Sequence, residues 1–275
     1  MAVRIFYWDA LENQPKTKAS FWKFGQSQQG FQHGNAGDHF NLDLLQWAYP
    51  GQHAANVKDE GRRLLLVGSV AHRVLDGDIV CGIGSKHSTI PAADGLKIRV
   101  WGVRGPMTLD AFRQAGHDVS QLRFMGDPGV LIGKLYPDVL HIRAEAGNTI
   151  FIPHYRERFE HRSNRHYKVV SIDATPRAVA EEICRAEFVY TSSLHGLIWA
   201  HALGRPALLV SPQTDESLHK YRDYFLSIGK DFCLAASIDE ALKSSKPNSS
   251  PDLSAMIGSV ALPSAAELAS AGILS

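Results

Sequence analysis

The sequence predicts an α/β protein with parallel sheets, in two halves that face a central cleft. Three observations predict it. Short β-branched or aliphatic runs alternate with segments of helical period, the pattern of strands joined by crossover helices. That pattern restarts at residue 149, after the stretch around Pro137. The length of 275 residues exceeds the roughly 150 of a comfortable single domain, so two domains or one large α/β unit are the options, and the restart favours two.

In chain order, RIFYW (4–8), RLLLVGS (63–69), DIVCGIG (78–84) and IRVWGV (98–103) are the strand candidates of the first half. A helix follows between Arg104 and Gly116, with Pro106 suited to a first helical position, Leu109 and Phe112 on one face, and Gly116 as the stop. GDPGVL (126–131) reads as a tight turn, because Pro128 restricts Asp127 and a glycine follows. In the second half TIFIPHY (149–155) and HYKVVSID (166–173) read as strands. Pro176 opens a helix in which Val179, Ile183 and Ala186 recur at i, i+4 and i+7. FVYTSS (188–193) is a strand, LHGLIWAHALG (194–204) a helix stopped by Gly204, and RPALLVS (205–211) a strand. Ser237 and Glu240 stand at capping-box spacing. KSSKPNSSPD (243–252) is a polar connector, and the Ala/Ser-rich end after it carries short helices that pack back on the first half.

Composition excludes several classes. With 44% hydrophobic and 21% charged residues the chain can bury a sizeable core. Lys plus Arg number 29 against 28 Asp plus Glu, a net charge of +1, so there is no bulk attraction to nucleic acid or anionic lipid and any anion recognition is local. Cys81, Cys184 and Cys233 show no CxxC spacing, which argues against a disulfide framework or zinc knuckle and for a reducing cytoplasm. The start, MAVRIFYWDALENQ, meets Asp9 and Glu12 too soon for a signal peptide. The most apolar tract is broken by His201, Arg205 and Pro206, short of a membrane span. Thirteen histidines show no HExxH or HxH pattern, so no metal is expected.

Open parallel sheets place ligands at the carboxyl ends of their strands, and four constellations fall there. In GNAGDHFN (34–41) two glycines precede Asp38, either a turn that lets backbone amides approach a substrate or an aspartate N-cap. In GVRGP (102–106) Arg104 ends a strand, where its guanidinium would project toward the cleft to hold a carboxylate or phosphate, or else pair with a nearby acid. In TSSLHG (191–196) a strand ends in hydroxyls and His195 enters a helix, which puts at the ligand-facing edge either an imidazole that titrates near neutrality and can move a proton or a satisfied structural histidine. His201, six residues on, does not share that face and reads as structural. In SLHKYRDYF (217–225) Lys220, Tyr221 and Arg222 precede Tyr224 and Phe225 in a segment of helical length, either a cation beside the cleft or a solvated basic face over an aromatic core stripe. A further basic run, HYRERFEHRSNRH (154–166), is a basic loop near an anionic ligand or merely exposed.

In order, NAGDHFN, DIVCGIGS, VWGVRGPMT, MGDPG and VYTSSLHGLIWAHALGRPALLV resemble the polysaccharide pyruvyl transferase family, especially its bacterial exopolysaccharide and succinoglycan-type members, across about residues 35–220. The resemblance implies two Rossmann-like domains in a GT-B-like arrangement: 1–145 on the acceptor side, 146–245 on the donor side, and 246–275 as a connector with a short helix. It implies transfer of the pyruvyl group of phosphoenolpyruvate onto two hydroxyls of one sugar, giving a cyclic ketal and phosphate, with phosphoenolpyruvate a donor substrate and no cofactor. The acceptor would be a sugar or lipid-linked oligosaccharide in surface polysaccharide assembly, with no nucleic-acid partner and with peripheral membrane association through the acceptor left open. By resemblance His195, Arg104 and Lys220 are the catalytic candidates: His195 as proton donor or stabiliser of the departing phosphate, Arg104 and Lys220 as cations for the donor. Asn35, Gly37, Asp38, Gly84, Ser85, Asp127, Ser192, Ser193 and Gly196 are the substrate-binding candidates. Many members carry an arginine two residues before the histidine, where this chain has Ser193. Arg104, Arg156, Arg158, or the Ser192 and Ser193 hydroxyls with helix N-terminal amides would replace its charge. A nucleotide-sugar glycosyltransferase and a non-catalytic sugar-binding protein are the alternative readings. Acceptor recognition is expected in the loops 10–33 and 86–93.

Overall fold

The computed structural model describes residues 1–12 and 30–274; most of the expected acceptor loop, residues 13–29, lies outside them. The first half contains β1 (Ala2–Ile5), α1 (Ala36–Ala48), β2 (His53–Asn56), β3 (Leu64–Leu65), β4 (Ile79–Cys81), β5 (Arg99–Val103), α2 (Pro106–Gln114), β6 (Phe124–Met125) and α3 (Ile132–Leu135). The second contains β7 (Thr149–Ile152), β8 (Lys168–Val169), α4 (Pro176–Arg185), β9 (Phe188–Thr191), α5 (Leu194–Ala202), β10 (Ala207–Leu209), α6 (His219–Ser227) and α7 (Ile238–Lys243). The chain then forms α8 (Ser254–Ser259) and α9 (Ala265–Ser270), and Leu274 bridges back to Val3 of β1.

The strands form two sheets, ordered β2-β1-β3-β4-β5-β6 and β10-β9-β7-β8, and all pairings between them are parallel. In each sheet the order reverses once, between β1 and β3 and between β7 and β9. Such switch points leave a crevice outside the strand ends, because the loops on either side depart in opposite directions. One apolar core joins the halves: α1 packs Phe40 against Trp199 of α5 with ring centres 5.6 Å apart, and both rings are fully buried. The backbone N–H groups of Gln32, His33 and Gly34 all donate to the Asp173 carboxylate, which ties the entry of α1 to the second half.

The expected strands all form, but most are shorter than their apolar runs. β1 ends at Ile5, and Phe6–Trp8 run on beyond the sheet. Neither β2 nor β6 stands out in the sequence. His53–Asn56 reads HAAN with no β-branched residue; it is a strand because β1 offers it an unpaired edge, so pairing overrides propensity. GDPG is a single turn of 3₁₀ helix over Pro128–Leu131, capped by Asp127, whose carboxylate accepts from Gly129 N at 2.8 Å. Ser237 caps α7, yet the complete reciprocal box is at Ser264 and Glu267 of α9. His201 is buried with Nδ1 2.9 Å from the Tyr224 hydroxyl, the structural role expected of it.

Two fully buried ion pairs brace the first sheet. Arg63 and Asp78 lie where β3 and β4 begin, and Arg63 also donates to the carbonyls of Val57, Lys58 and Arg73. At the opposite end Asp223 of α6 accepts from Met107 N, Thr108 N and Thr108 Oγ1 and lies 3.4 Å from Arg104 Nε. A side chain on Gly105 would collide with it, since a methyl there would lie 2.4 Å from Oδ1. Asp223 is thus the N-terminal anion of α2 and the counter-charge of Arg104 at once. Truncating one partner of a buried pair strands the other charge, so Asp223→Ala is expected to cost about 3–5 kcal/mol in urea unfolding; a loss under about 1 kcal/mol would contradict this role.

Candidate functional site

Both switch points open into one cavity of about 220 Å³. Its first-half wall is Phe6 and Trp8 after β1, Asn35 and Asp38 of the α1 entry, Gly68 to Val70 after β3, His72, Arg73 and Lys86. The second half contributes His154 to Arg156 after β7, Ser193 to His195 after β9, and Glu216 and Lys220 leading into α6. Four cationic side chains, Arg73, Lys86, Arg156 and Lys220, thus face two carboxylates, Asp38 and Glu216. A locally positive cleft exists in a chain of net charge +1, as expected.

The cap of α1 is Asn35 rather than Asp38. Asn35 Oδ1 accepts from Gly37 N at 3.2 Å while its Nδ2 donates to Asp38 Oδ2 at 2.8 Å. Burial pushes the Asp38 carboxyl up to about 7, further helped by Asp9, against the opposing pull of Lys86, Asn35 and Lys220. Gly37 has a different purpose from the expected one: a methyl on it would lie 2.0 Å from His195 Nδ1. The glycine makes room for the imidazole, so α1 and α5 meet across the cavity floor at this contact.

Ser193 caps α5, its Oγ accepting from Gly196 N at 3.3 Å, and His195 lies in the first turn beyond it. The ring is nearly buried, and among the described residues its Nε2 has no hydrogen-bond partner. Burial, then the positive fields of Arg104 and Lys220, hold its pKa down at about 3. The imidazole is therefore neutral at ordinary pH, which corrects the expectation of a group titrating near neutrality.

Lys220 Nζ donates to Glu216 Oε1 at 2.8 Å, and burial brings its ammonium down to about 8 in spite of that carboxylate. Burial would raise Glu216, but Lys220, Lys86 and His154 outweigh it and hold the carboxyl at about 2. His154, buried among the same cations, is pushed well below its ordinary value, chiefly by burial and then by Lys220.

Several candidates sit behind the cavity wall. Arg104 is fully buried, so it does not project into the cleft as expected: its guanidinium donates to Ser69 Oγ at 2.7 Å and to the Ser85 carbonyl at 2.9 Å and pairs with Asp223. It reaches the cavity only through Ser69. Gly84 is bare because a methyl there would lie 2.0 Å from Arg104 Cζ. The Ser85 backbone N–H is bonded to Thr108 Oγ1, and its hydroxyl to the His87 carbonyl. Asp127 is buried beneath the floor, and burial raises its carboxyl to about 6. Ser192 is buried, donating to Glu157 Oε2 at 2.6 Å and accepting from His154 N at 2.7 Å. Gly196 lets α5 approach β9, where a side chain would strike Thr191 Oγ1. Of the charges expected to replace an arginine at Ser193, Arg156 lines the cavity, whereas Arg158 stacks on Phe31 and lies 4.0 Å from Asp173.

Glu216, Lys86, Arg73 and Ser69 are among the cavity residues that sequence reasoning missed. Glu216 had a readable signal, standing four residues before Lys220 at the spacing that pairs side chains on a helix. Lys86 had a weaker one, at the end of the apolar run 78–84.

Cations gathered at the carboxyl ends of two parallel sheets, with a buried imidazole between helix entries, have the chemistry to hold a small anion. The model of the polysaccharide pyruvyl transferase family matches residues 97–214, from just before β5 to just beyond β10, the segment holding Arg104, His154 and His195. The succinoglycan biosynthesis protein ExoV of Rhizobium meliloti is 27% identical over 208 residues, which cover 72% of this chain and 63% of that protein. The match therefore spans just under two thirds of that relative. No solved structure matches. Among the described residues no helix is long and apolar enough to cross a membrane.

The neutral state of His195 is directly measurable. In the ligand-free protein, ring NMR of labelled histidine, assigned with His195→Gln, is expected to show no protonation of this residue between pH 5 and 8. A midpoint above about 6 would contradict the depressed value.

Proposed function

We propose that the protein is a ketal-pyruvyl transferase of surface polysaccharide assembly, with phosphoenolpyruvate as donor and a sugar diol as acceptor. The observation that carries this reading is the shared cavity at two switch points, where Lys86, Arg156 and Lys220 surround a space beside His195 and Asp38, within a chain that the family's model matches over residues 97–214. The reading includes two Rossmann-like domains in a GT-B-like arrangement, divided near 145 and 245, and work in the cytoplasm on a lipid-linked or nucleotide-linked acceptor.

The donor's carboxylate and phosphate suit cations that are fixed by the fold and partly desolvated. A proton goes to the donor's methylene carbon, making it a methyl and leaving an oxocarbenium-like carbon. One sugar hydroxyl attacks that carbon; the carbon–oxygen bond to phosphate breaks, and the second hydroxyl closes the ketal. The two hydroxyls lose two protons: one balances the methyl, and the other leaves with phosphate. Asp38 is matched to take a hydroxyl proton, as its carboxyl lies near 7 and Asn35 holds its Oδ2. His195 can supply a proton only after the donor's negative charge offsets the cationic field around it, which couples its acidity to donor binding. The faces of Phe6, Trp8 and Tyr155 on the rim suit the apolar side of a sugar ring.

Incubation with phosphoenolpyruvate and a panel of galactose, glucose and N-acetylmannosamine acceptors is expected to release phosphate with at least one. Silence across a broad panel, with folded protein shown to bind donor, sinks the reading. His195→Ala is expected to lower kcat by about 10²-fold or more; an unchanged kcat removes the ring from the mechanism.

The pH profile of kcat/KM has a definite shape under this reading. Activity rises as Asp38 ionises, with an acid limb near 7, and falls as Lys220 loses its proton, with an alkaline limb near 8; the limbs belong to the coupled pair. Lys220→Arg keeps its charge at high pH, so the variant is expected to lose the alkaline limb. A limb that stays near 8 in this variant assigns it to another group.

A further inference from the structure

Glu216 is a carboxylate standing where a ligand's anion belongs. Its Oε1 accepts from Lys220 Nζ at 2.8 Å and lies 3.6 Å from Lys86 Nζ, while Oε2 lies 3.8 Å from both His154 Nε2 and Arg156 Nη1. These groups come from the loop after β4, the loop after β7 and the first turn of α6, so three separated segments converge on one carboxylate. Its side chain is only 3% exposed yet forms part of the cavity wall. The contrast with Asp78 is informative: Asp78 is away from the cavity and accepts from Arg63 N, Nε and Nη2 and from Leu75 N, all within 3.1 Å. Among the described residues only Lys220 is within hydrogen-bond distance of Glu216, and the other three groups face the carboxylate from farther away.

We propose that Glu216 is the internal counter-anion of the donor site: in the empty protein its carboxylate occupies the place of an anionic group of the donor, between Lys86, Arg156 and Lys220, and donor binding displaces it. Without a carboxylate there, the buried Lys220 ammonium would stand unpaired beside the half-exposed Lys86 and Arg156, and their like charges would push the cradle apart. With it, the cradle stays assembled, and a ligand's apparent affinity is reduced by the fraction of protein in which Glu216 has moved away. This sets a ligand class. A monocarboxylate merely exchanges one carboxylate for another, whereas a small molecule bearing both a carboxylate and a phosphate gains from two anionic groups. Glu216 thereby acts as a specificity determinant favouring dianionic donors over pyruvate-like products.

The inference rests on the pyruvyl-transfer reading only for the donor's identity, and calorimetry separates the two. Phosphoenolpyruvate, inorganic phosphate and pyruvate are titrated into the full chain and into Glu216→Gln. The expected result is a Kd at least about tenfold lower for phosphate and phosphoenolpyruvate in the variant, with pyruvate binding becoming measurable. Unchanged or weaker binding in a folded variant, while the wild type binds phosphoenolpyruvate, overturns the counter-anion role and leaves the pyruvyl reading intact. No binding of either phosphorylated ligand to either protein overturns both. If the variant does not fold, a wild-type crystal structure with phosphoenolpyruvate decides: Glu216 rotated away from Lys220, with ligand oxygens on Lys86 and Lys220, is expected, and Glu216 still bonded to Lys220 overturns the proposal.

Discussion

Arg104 and Asp223 carry opposite charges with no access to water, and much of the site is arranged around that constraint. Charges so placed must be paired and hydrogen-bonded. Arg104 spends its guanidinium on Ser69, Ser85 and Asp223, and Asp223 spends its carboxylate on the start of α2. The pair therefore joins the end of β5, the loops after β3 and β4, the start of α2 and the middle of α6. Those connections hold Ser69 in the cavity wall and fix the helix that presents Lys220. Gly84 and Gly105 are part of the same arrangement, because a side chain on either would occupy the space the two charged groups need. GIGS and GVRGP thus take the local shape that a buried ion pair requires.

Above that floor, the two halves meet at a contact that tolerates no extra atom. His195 rests on Gly37, so an imidazole from the second half and the helix entry bearing Asp38 from the first are held together. The surrounding electrostatics then follow from burial. Burial first, and the nearby cations second, depress His195 and His154, the lack of water raises Asp38, and Glu216 keeps its charge because it is the anion nearest to Lys220 and Lys86. An arriving anion enters a site in which several groups are balanced close to a change of protonation.

Much of this fold was legible because parallel strands buried on both faces leave continuous apolar runs. FVYT at β9 is buried at all four positions and stands out against its polar neighbours. Helices were legible where a starting proline met an apolar period, as at Pro176, or a glycine stopped an apolar run, as at Gly204. What escaped notice was held by pairing rather than by composition: HAAN is a strand only because the free edge of β1 lies beside it. The candidate site divided in the same way. His195, Lys220, Asn35, Asp38 and Ser193 line the cavity as expected, whereas Arg104, Asp127 and Ser192 are buried behind it. A charged or hydroxyl residue at the end of a strand looks the same in sequence whether it points into a crevice or under it.

The sequence by itself determined the class of fold, most of the strands, the helix starts and the residues from which a site could be assembled, since apolar periodicity, caps and strand-end motifs are local properties. Tertiary structure alone decided which of those residues face a ligand. It brought Glu216 among Lys86, His154 and Arg156, residues 60 to 130 positions earlier in the chain, and it set Arg104 against Asp223. Burial and long-range pairing decide a side chain's direction and charge state, and neither is encoded within the few residues of a motif.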